Sequence, residues 1–191
     1  RNFKYNKVIK NKKKKFNLPS LNQIYGIITC FKKSKGKILC LLDSDDFFNR
    51  EKLKIVKNFF LENKKLNFFY NFPSADKSKF KFKEKKLKNI LPTIFPTSCI
   101  SIRRKVFKKF ILYIKSNSYE NLEIDARLII FMSVFFNEYN YINKKLTKYN
   151  NDYFGVTSNI PKFSKKWWLR RMDAYRYMDY LLKKKNKRLN K

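Results

Sequence analysis

The stretch Gly36-Lys-Ile-Leu-Cys-Leu-Leu-Asp-Ser-Asp-Asp46 constrains this chain more than any other. Ile38 to Leu42 is wholly apolar, too short for a buried helix, and bounded by Gly36 and by acids, which predicts an interior strand. Asp43, Asp45 and Asp46 then crowd together in a chain with 14 acidic residues against 47 basic ones. Open α/β sheets bind ligands beyond the carboxyl ends of their strands, so these acids stand where a ligand would. Carboxylates this close raise one another's proton affinity unless a cation intervenes. Hard oxygen ligands suit Mg²⁺ or Mn²⁺ carried in with a phosphate-bearing substrate. The competing assignment is structural: Arg50-Glu51-Lys52-Leu53 starts a helix, and Asp45 or Asp46 as its cap or first-turn acid would satisfy free N–H groups.

The flanking segments alternate in period. Pro19 opens a helix with Leu21, Ile24, Tyr25, Ile28 and Phe31 on one face, ending near Gly36, and residues 50–62 form a second with Leu53, Val56, Phe59 and Phe60 inward. Leu66 to Phe72 reads as a strand, and residues 73–91 as a Lys-rich loop. Thr97 to Ile102 reads as a strand with a polar face, leading into a helix with Val106, Phe107, Phe110 and Ile111; Arg103 and Arg104 are solvated helix-start residues, with substrate phosphate as the alternative contact. Asn121 to Phe136 is the most apolar helix, and Asp125 and Glu123 lie near its start; the ordinary role for Asp125 is a first-turn charge paired with Arg127 or a nearby Lys. Tyr139–Ile142 and Leu146–Tyr149 suggest a hairpin across Asn143-Lys144-Lys145. Residues 162–191 form an amphipathic basic helix with Trp167 and Trp168, suited either to a membrane interface or, more commonly, to packing on the core with its lysines in water. Residues 1–17 read as a basic edge segment or tail. One domain over 1–191 is the simplest division.

Composition closes several routes. The chain has no histidine, which removes His-based acid–base chemistry, Ser-His-Asp triads and most zinc hydrolase sites. Cys30, Cys40 and Cys99 are far apart in apolar segments and read as small core residues of a reducing compartment. A net charge of +33 points to an anionic partner, yet the lysines are spread evenly, so the charge selects no specific one. A nucleic-acid-binding module using a basic, aromatic surface is the alternative from a different class.

The order of these pieces resembles glycosyltransferase family 2, the nucleotide-sugar-dependent enzymes of GT-A fold. The resemblance rests on Gly36 to Asp46 with Phe47 and the helix after it, on Pro96-Thr-Ser-Cys-Ile-Ser-Ile-Arg-Arg-Lys-Val-Phe107, on Glu120-Asn-Leu-Glu-Ile-Asp-Ala-Arg-Leu128, and on Leu146-Thr-Lys-Tyr149 with Val156-Thr-Ser158. It implies an α/β, GT-A-like (Rossmann-like) mixed sheet with flanking helices. It also implies an inverting transfer of sugar from a nucleotide diphosphate-sugar to a glycan or lipid-linked acceptor, in the cytoplasm or at the inner membrane face against anionic lipid. In that frame Asp43 and Asp45 are the Asp-x-Asp pair that binds the donor and a Mn²⁺ or Mg²⁺ ion. Asp46 lies behind them or starts the helix, Asp125 is the general base with Glu123 its rival, and Lys148 and Tyr149 belong to a lid over the donor. Nucleic acid is then not the expected partner. The family's first strand–helix–strand portion, which holds the nucleobase, has no counterpart in the residues before Asp43, so an N-terminally truncated fold is expected and an inactive remnant is a further alternative. The histidine common in the family's C-terminal lid is missing, with Asn150, Asn151 and Asp152 in its neighbourhood. Trp167 to Arg171 does not match the processive-synthase motif, which implies single-sugar transfer.

Overall fold

A computed structural model describes residues 18–74, 91–115, 117–150 and 160–189. The expectations for 1–17, for most of the Lys-rich loop, for Asn151 and Asp152 and for Val156–Ser158 lie outside the described residues. Along the chain run α1 (Pro19–Lys33), β1 (Ile38–Cys40), β2 (Phe47–Phe48), α2 (Lys52–Glu62), β3 (Phe68–Pro73), a 3-10 turn at Thr97–Cys99, β4 (Ile100–Arg103), α3 (Arg104–Ile111), α4 (Ile124–Phe136), β5 (Tyr141–Lys148) and α5 (Lys165–Leu189). Among the described residues the strands order β1-β4-β3-β5-β2. The β3–β5 pair is parallel and the other neighbours are antiparallel. This is a mixed α/β, GT-A-like Rossmann-type arrangement.

β3 is the centre. Phe68, Phe69, Tyr70 and Asn71 are all fully buried, as expected of a strand covered on both faces. Its residues take opposite sides: Phe68 and Tyr70 enter the main core with Ile102, Phe107 and Phe131, while Phe69 packs with Val56 and Phe60 of α2. α4 is buried almost all round, consistent with its unbroken apolar sequence. α5 lies along it through Ala174, Tyr177 and Leu181, all buried, and Lys185 Nζ donates to Val134 O at 2.7 Å. The packing alternative for this helix therefore holds along α4, while Trp168, Met172, Tyr175 and Leu182 face outward.

Several expectations change. β1 is not interior: among the described residues it pairs only with β4, at one edge, and is half-buried throughout. Its apolar run reflects cover by α1 and α2 on its two faces, not strands on both sides. The hairpin is instead one strand. β5 passes from Tyr141 to Lys148 with register shifts against Asn71–Pro73, so the polar Asn143–Lys145 stretch is absorbed as an exposed bulge. Thr97–Ile102 is half strand, because Thr97–Cys99 coils into the 3-10 turn. On α2 the inward stripe is Lys52, Val56 and Phe60, and Leu53 points to water. Cys99 is buried, Cys40 half-buried and Cys30 exposed. Arg103 is not a solvated start residue. It donates to the carbonyls of Phe60, Asn63, Lys64 and Leu66 and closes the C-terminal end of α2, while Arg104 binds Gly36 O and Ser34 Oγ.

Candidate active site

The acidic turn leaves β1 under tight local control. Leu41 N–H still pairs with Ile100 O at 3.2 Å, and Asp43 N–H then donates to Ser98 Oγ at 2.8 Å, transferring the chain from the sheet to the 3-10 turn. Asp46 N–H closes back on Asp43 O at 3.3 Å, a β-turn with Asp at its favoured first position. The capping alternative does not hold. Glu51 N–H goes to Asn49 Oδ1 and Lys52 N–H to Asn49 O, so Asn49 closes the first turn of α2 and the carboxylates are spared.

Each carboxylate has its own setting. Asp43 accepts from Gln23 Nε2 at 2.9 Å; burial raises its pKa above the ordinary carboxylate value, and the neighbouring Asp46 and Asp45 charges raise it further. Asp45 is exposed. Asp46 is buried, with Oδ1 accepting from Asn150 N–H at 2.8 Å and Oδ2 carrying no hydrogen bond among the described residues.

Asp125 begins α4, its Oδ1 accepting Ala126 N–H at 2.6 Å. Burial pushes its pKa up to about 7, with the Glu123 and Asp43 charges adding to the rise and Arg170 opposing it. A carboxylate poised there suits proton abstraction at neutral pH. Glu123 is buried and ion-paired to Arg170 at 2.6 Å. Arg127 does not pair with Asp125: it is fully buried and donates to five backbone carbonyls.

Tyr149, just past β5, lies within electrostatic reach of both groups of acids. Burial raises its hydroxyl pKa first, and the charges of Asp46, Asp125, Asp45 and Asp43 all raise it further.

Lys52 is a participant that the sequence reading missed. Fully buried beneath the turn, its Nζ donates to Ser98 O at 2.5 Å and Thr147 Oγ1 at 2.8 Å and lies 4.0 Å from the Phe48 ring centroid. Burial lowers its pKa to about 8, an effect opposed by Cys99, Cys40 and Asp46, so it carries charge at neutral pH. Thr147 Oγ1 also donates to Ser98 O at 3.0 Å, so the Ser98 hydroxyl that receives Asp43 N–H is held from behind. The available signal was its position on the Val56–Phe60 stripe, one turn earlier.

Among the described residues no group of three or more His, Cys, Asp or Glu side chains is placed to hold a metal ion. The acidic turn thus fits a cation only as part of its shell. The desolvated Asp43, the exposed Asp45 beside it and the unsatisfied Asp46 Oδ2 leave anionic oxygen to spare, while the remaining ligands would have to come from substrate or water.

A mixed α/β domain with carboxylates at a strand's carboxyl end and a further acid on a separate helix has a GT-A-like architecture. Comparison with protein-family models gives a match to Glycosyl transferase family 2 over residues 14–119, and the chain belongs to that family. Its general role is that of a glycosyltransferase. The match takes in the acidic turn and Lys52 and ends before Glu123 and Asp125. No significant match to a curated protein or to a solved structure is found.

Proposed function

We propose that this chain is a single-domain inverting glycosyltransferase that moves one sugar from a nucleotide diphosphate-sugar to a glycan or lipid-linked acceptor. The observation that carries the reading is the family match, which covers an acidic turn held at the end of β1 by Gln23 and Ser98, with Asp125 contributed by a separate element. An inverting displacement needs its base and its leaving group on opposite sides of the reacting carbon, and hence groups from different parts of the fold. In this reading Asp43 and Asp45 bind the donor diphosphate together with Mg²⁺ or Mn²⁺. That ion would supply positive charge against the negative charge of the departing nucleoside diphosphate. Gln23 and Ser98 fix the aim of Asp43, and Lys52 holds Ser98 in place. Asp125 takes the proton of the acceptor hydroxyl. Glu123 serves in its place less well, because Arg170 already occupies its carboxylate; it keeps Arg170 beside Asp125 instead.

Among the described residues no helix is long and apolar enough to cross a membrane. The outward Trp168, Met172, Tyr175 and Leu182 of α5, set among lysines and arginines, support peripheral contact with an anionic membrane, which in this reading is the inner face of the cytoplasmic membrane.

The test is donor hydrolysis as a function of Mn²⁺ with UDP- and GDP-sugars. Asp45→Asn is expected to raise the half-saturating Mn²⁺ concentration about tenfold or more. Its melting temperature should not change, because Asp45 is exposed. An unchanged Mn²⁺ response in this variant would remove Asp45 from the site.

A further inference from the structure

An open pocket of about 440 Å³ is lined by the segment 91–94, by Leu122 and Ala126 at the start of α4 and by the first turns of α5. Its size falls within the ~300–1,000 Å³ of small-molecule sites. Ala126, next to Asp125, lies in its wall, and so does Arg170, the partner of Glu123. From α5 it receives Trp167, Arg171 and Tyr175, spaced four residues apart and hence on one helix face. Ile94 supplies apolar surface opposite.

The charges at this pocket are unequal. Arg170 is neutralised by Glu123, but among the described residues no carboxylate pairs with Arg171. The Arg171 guanidinium lies 4.1 Å from the Trp167 ring centroid. Trp167 is itself braced by Phe163 at 5.1 Å and by the edge of Trp168 at 4.7 Å. This cation–π contact holds the guanidinium against the ring at the wall of the pocket. The guanidinium fork of an arginine matches two oxygens of a phosphate or carboxylate. Among the described lining residues, an arginine without a carboxylate partner, an aromatic platform and an apolar wall thus meet at the pocket that holds Ala126, the neighbour of the proposed base.

We infer that this pocket is the acceptor subsite and that it selects an acceptor bearing an oxyanion, held by Arg171 on the Trp167 platform. The inference rests on the sugar-transfer reading for the word acceptor, and on the pocket alone for the anion. The oxyanion can belong to a soluble acidic saccharide or to a lipid phosphate, for which the Ile94 side offers an apolar path.

The experiment is a titration of tryptophan fluorescence in the full chain with glucose, glucose 6-phosphate and citronellyl phosphate, a short isoprenoid monophosphate. At least one phosphate should bind about tenfold or more tightly than glucose, the worth of one charge-assisted bidentate contact. Tighter binding of glucose 6-phosphate identifies a saccharide source, and tighter binding of citronellyl phosphate a lipid one. Arg171→Gln should abolish the preference and Arg171→Lys retain part of it, with both variants checked for an unchanged far-UV spectrum. Equal affinity for glucose and both phosphates, or a preference that survives in Arg171→Gln, would falsify the inference. Nucleotide-sugar hydrolysis by the unaltered chain is read in parallel. Its absence beside an intact phosphate preference overturns the acceptor role together with the sugar-transfer reading, and leaves an anion site.

Discussion

Asp125→Asn is expected to lower sugar transfer about a thousandfold, the usual worth of a positioned general base, while making the folded protein more stable above pH 7. The two effects share one cause. The folded chain holds the Asp125 carboxyl at a pKa of about 7 against an ordinary 3.8, chiefly by burial. Below the ordinary value the group is protonated in both folded and unfolded chains and costs nothing. As pH rises toward 7 the unfolded chain has lost the proton and the folded chain still keeps it, so stability falls across that interval and stays low above it. The difference corresponds to at most about 4 kcal/mol, and to about 2 once the carboxylate's partial contact with water is allowed for. Asparagine cannot ionise, and its Oδ1 can still accept Ala126 N–H. The variant should therefore melt about 5 °C higher than the native chain at pH 8 and match it near pH 4. On the proposed role of Asp125 as base, the native kcat/KM should rise with pH through about 7 and then level off. A variant that melts lower at pH 8 would make Asp125 an ordinary structural anion.

Much of the fold was legible because hydrophobic period is local information. α1, α2, α3, α4 and α5 fall where the apolar spacing placed them, and β3 where the Phe and Tyr run lay. Partnership between strands is not local, which is why β1 was read as interior. An apolar run records burial, and two helices bury an edge strand as well as two strands do. The hairpin expectation failed similarly, since Asn143-Lys144-Lys145 is as suitable for an exposed bulge as for a turn.

At the site, residue types pointed to the acids, and the hydrogen bonds around them gave each its setting. The sequence could not tell that Asn49 would close α2 and release Asp45 and Asp46 from capping. Nor could it tell that Glu123 would be engaged by a residue 47 positions away. Lys52 was hidden by the abundance of its own kind. Where lysine is the default surface residue, one buried lysine carries no compositional mark, and only its place on an apolar stripe distinguishes it. Arginine is scarcer here, and Arg103, Arg104, Arg127 and Arg170 each bind specific carbonyl or carboxylate oxygens.

Arg127→Met should be the most damaging single change in stability, at about 5 kcal/mol, a large part of what a domain of this size possesses. Replacing a buried charge by an apolar side chain is often harmless, but only when the partners are replaced with it. Here the partners are backbone. Arg127 donates to Leu122 O at 2.9 Å, Ile114 O at 2.6 Å, Lys115 O at 2.9 Å, Ser118 O at 2.8 Å and Tyr119 O at 2.7 Å. Methionine leaves all five without that donor, and each one left buried and unsatisfied costs about 1–3 kcal/mol. Two of these carbonyls belong to residues with left-handed backbones, Lys115 at φ 51° and Tyr119 at φ 59°. Bulky side chains resist that region by about 1 kcal/mol or more apiece. The guanidinium thus holds a strained turn in the shape that delivers the chain to Glu123 and Asp125. Arg127→Lys should recover less than half of the loss, because three donors on one nitrogen cannot span carbonyls spread over residues 114 to 122. Urea denaturation of the two variants measures both values, and a loss below about 1 kcal/mol in Arg127→Met would mean that water or repacking satisfies the turn without the arginine.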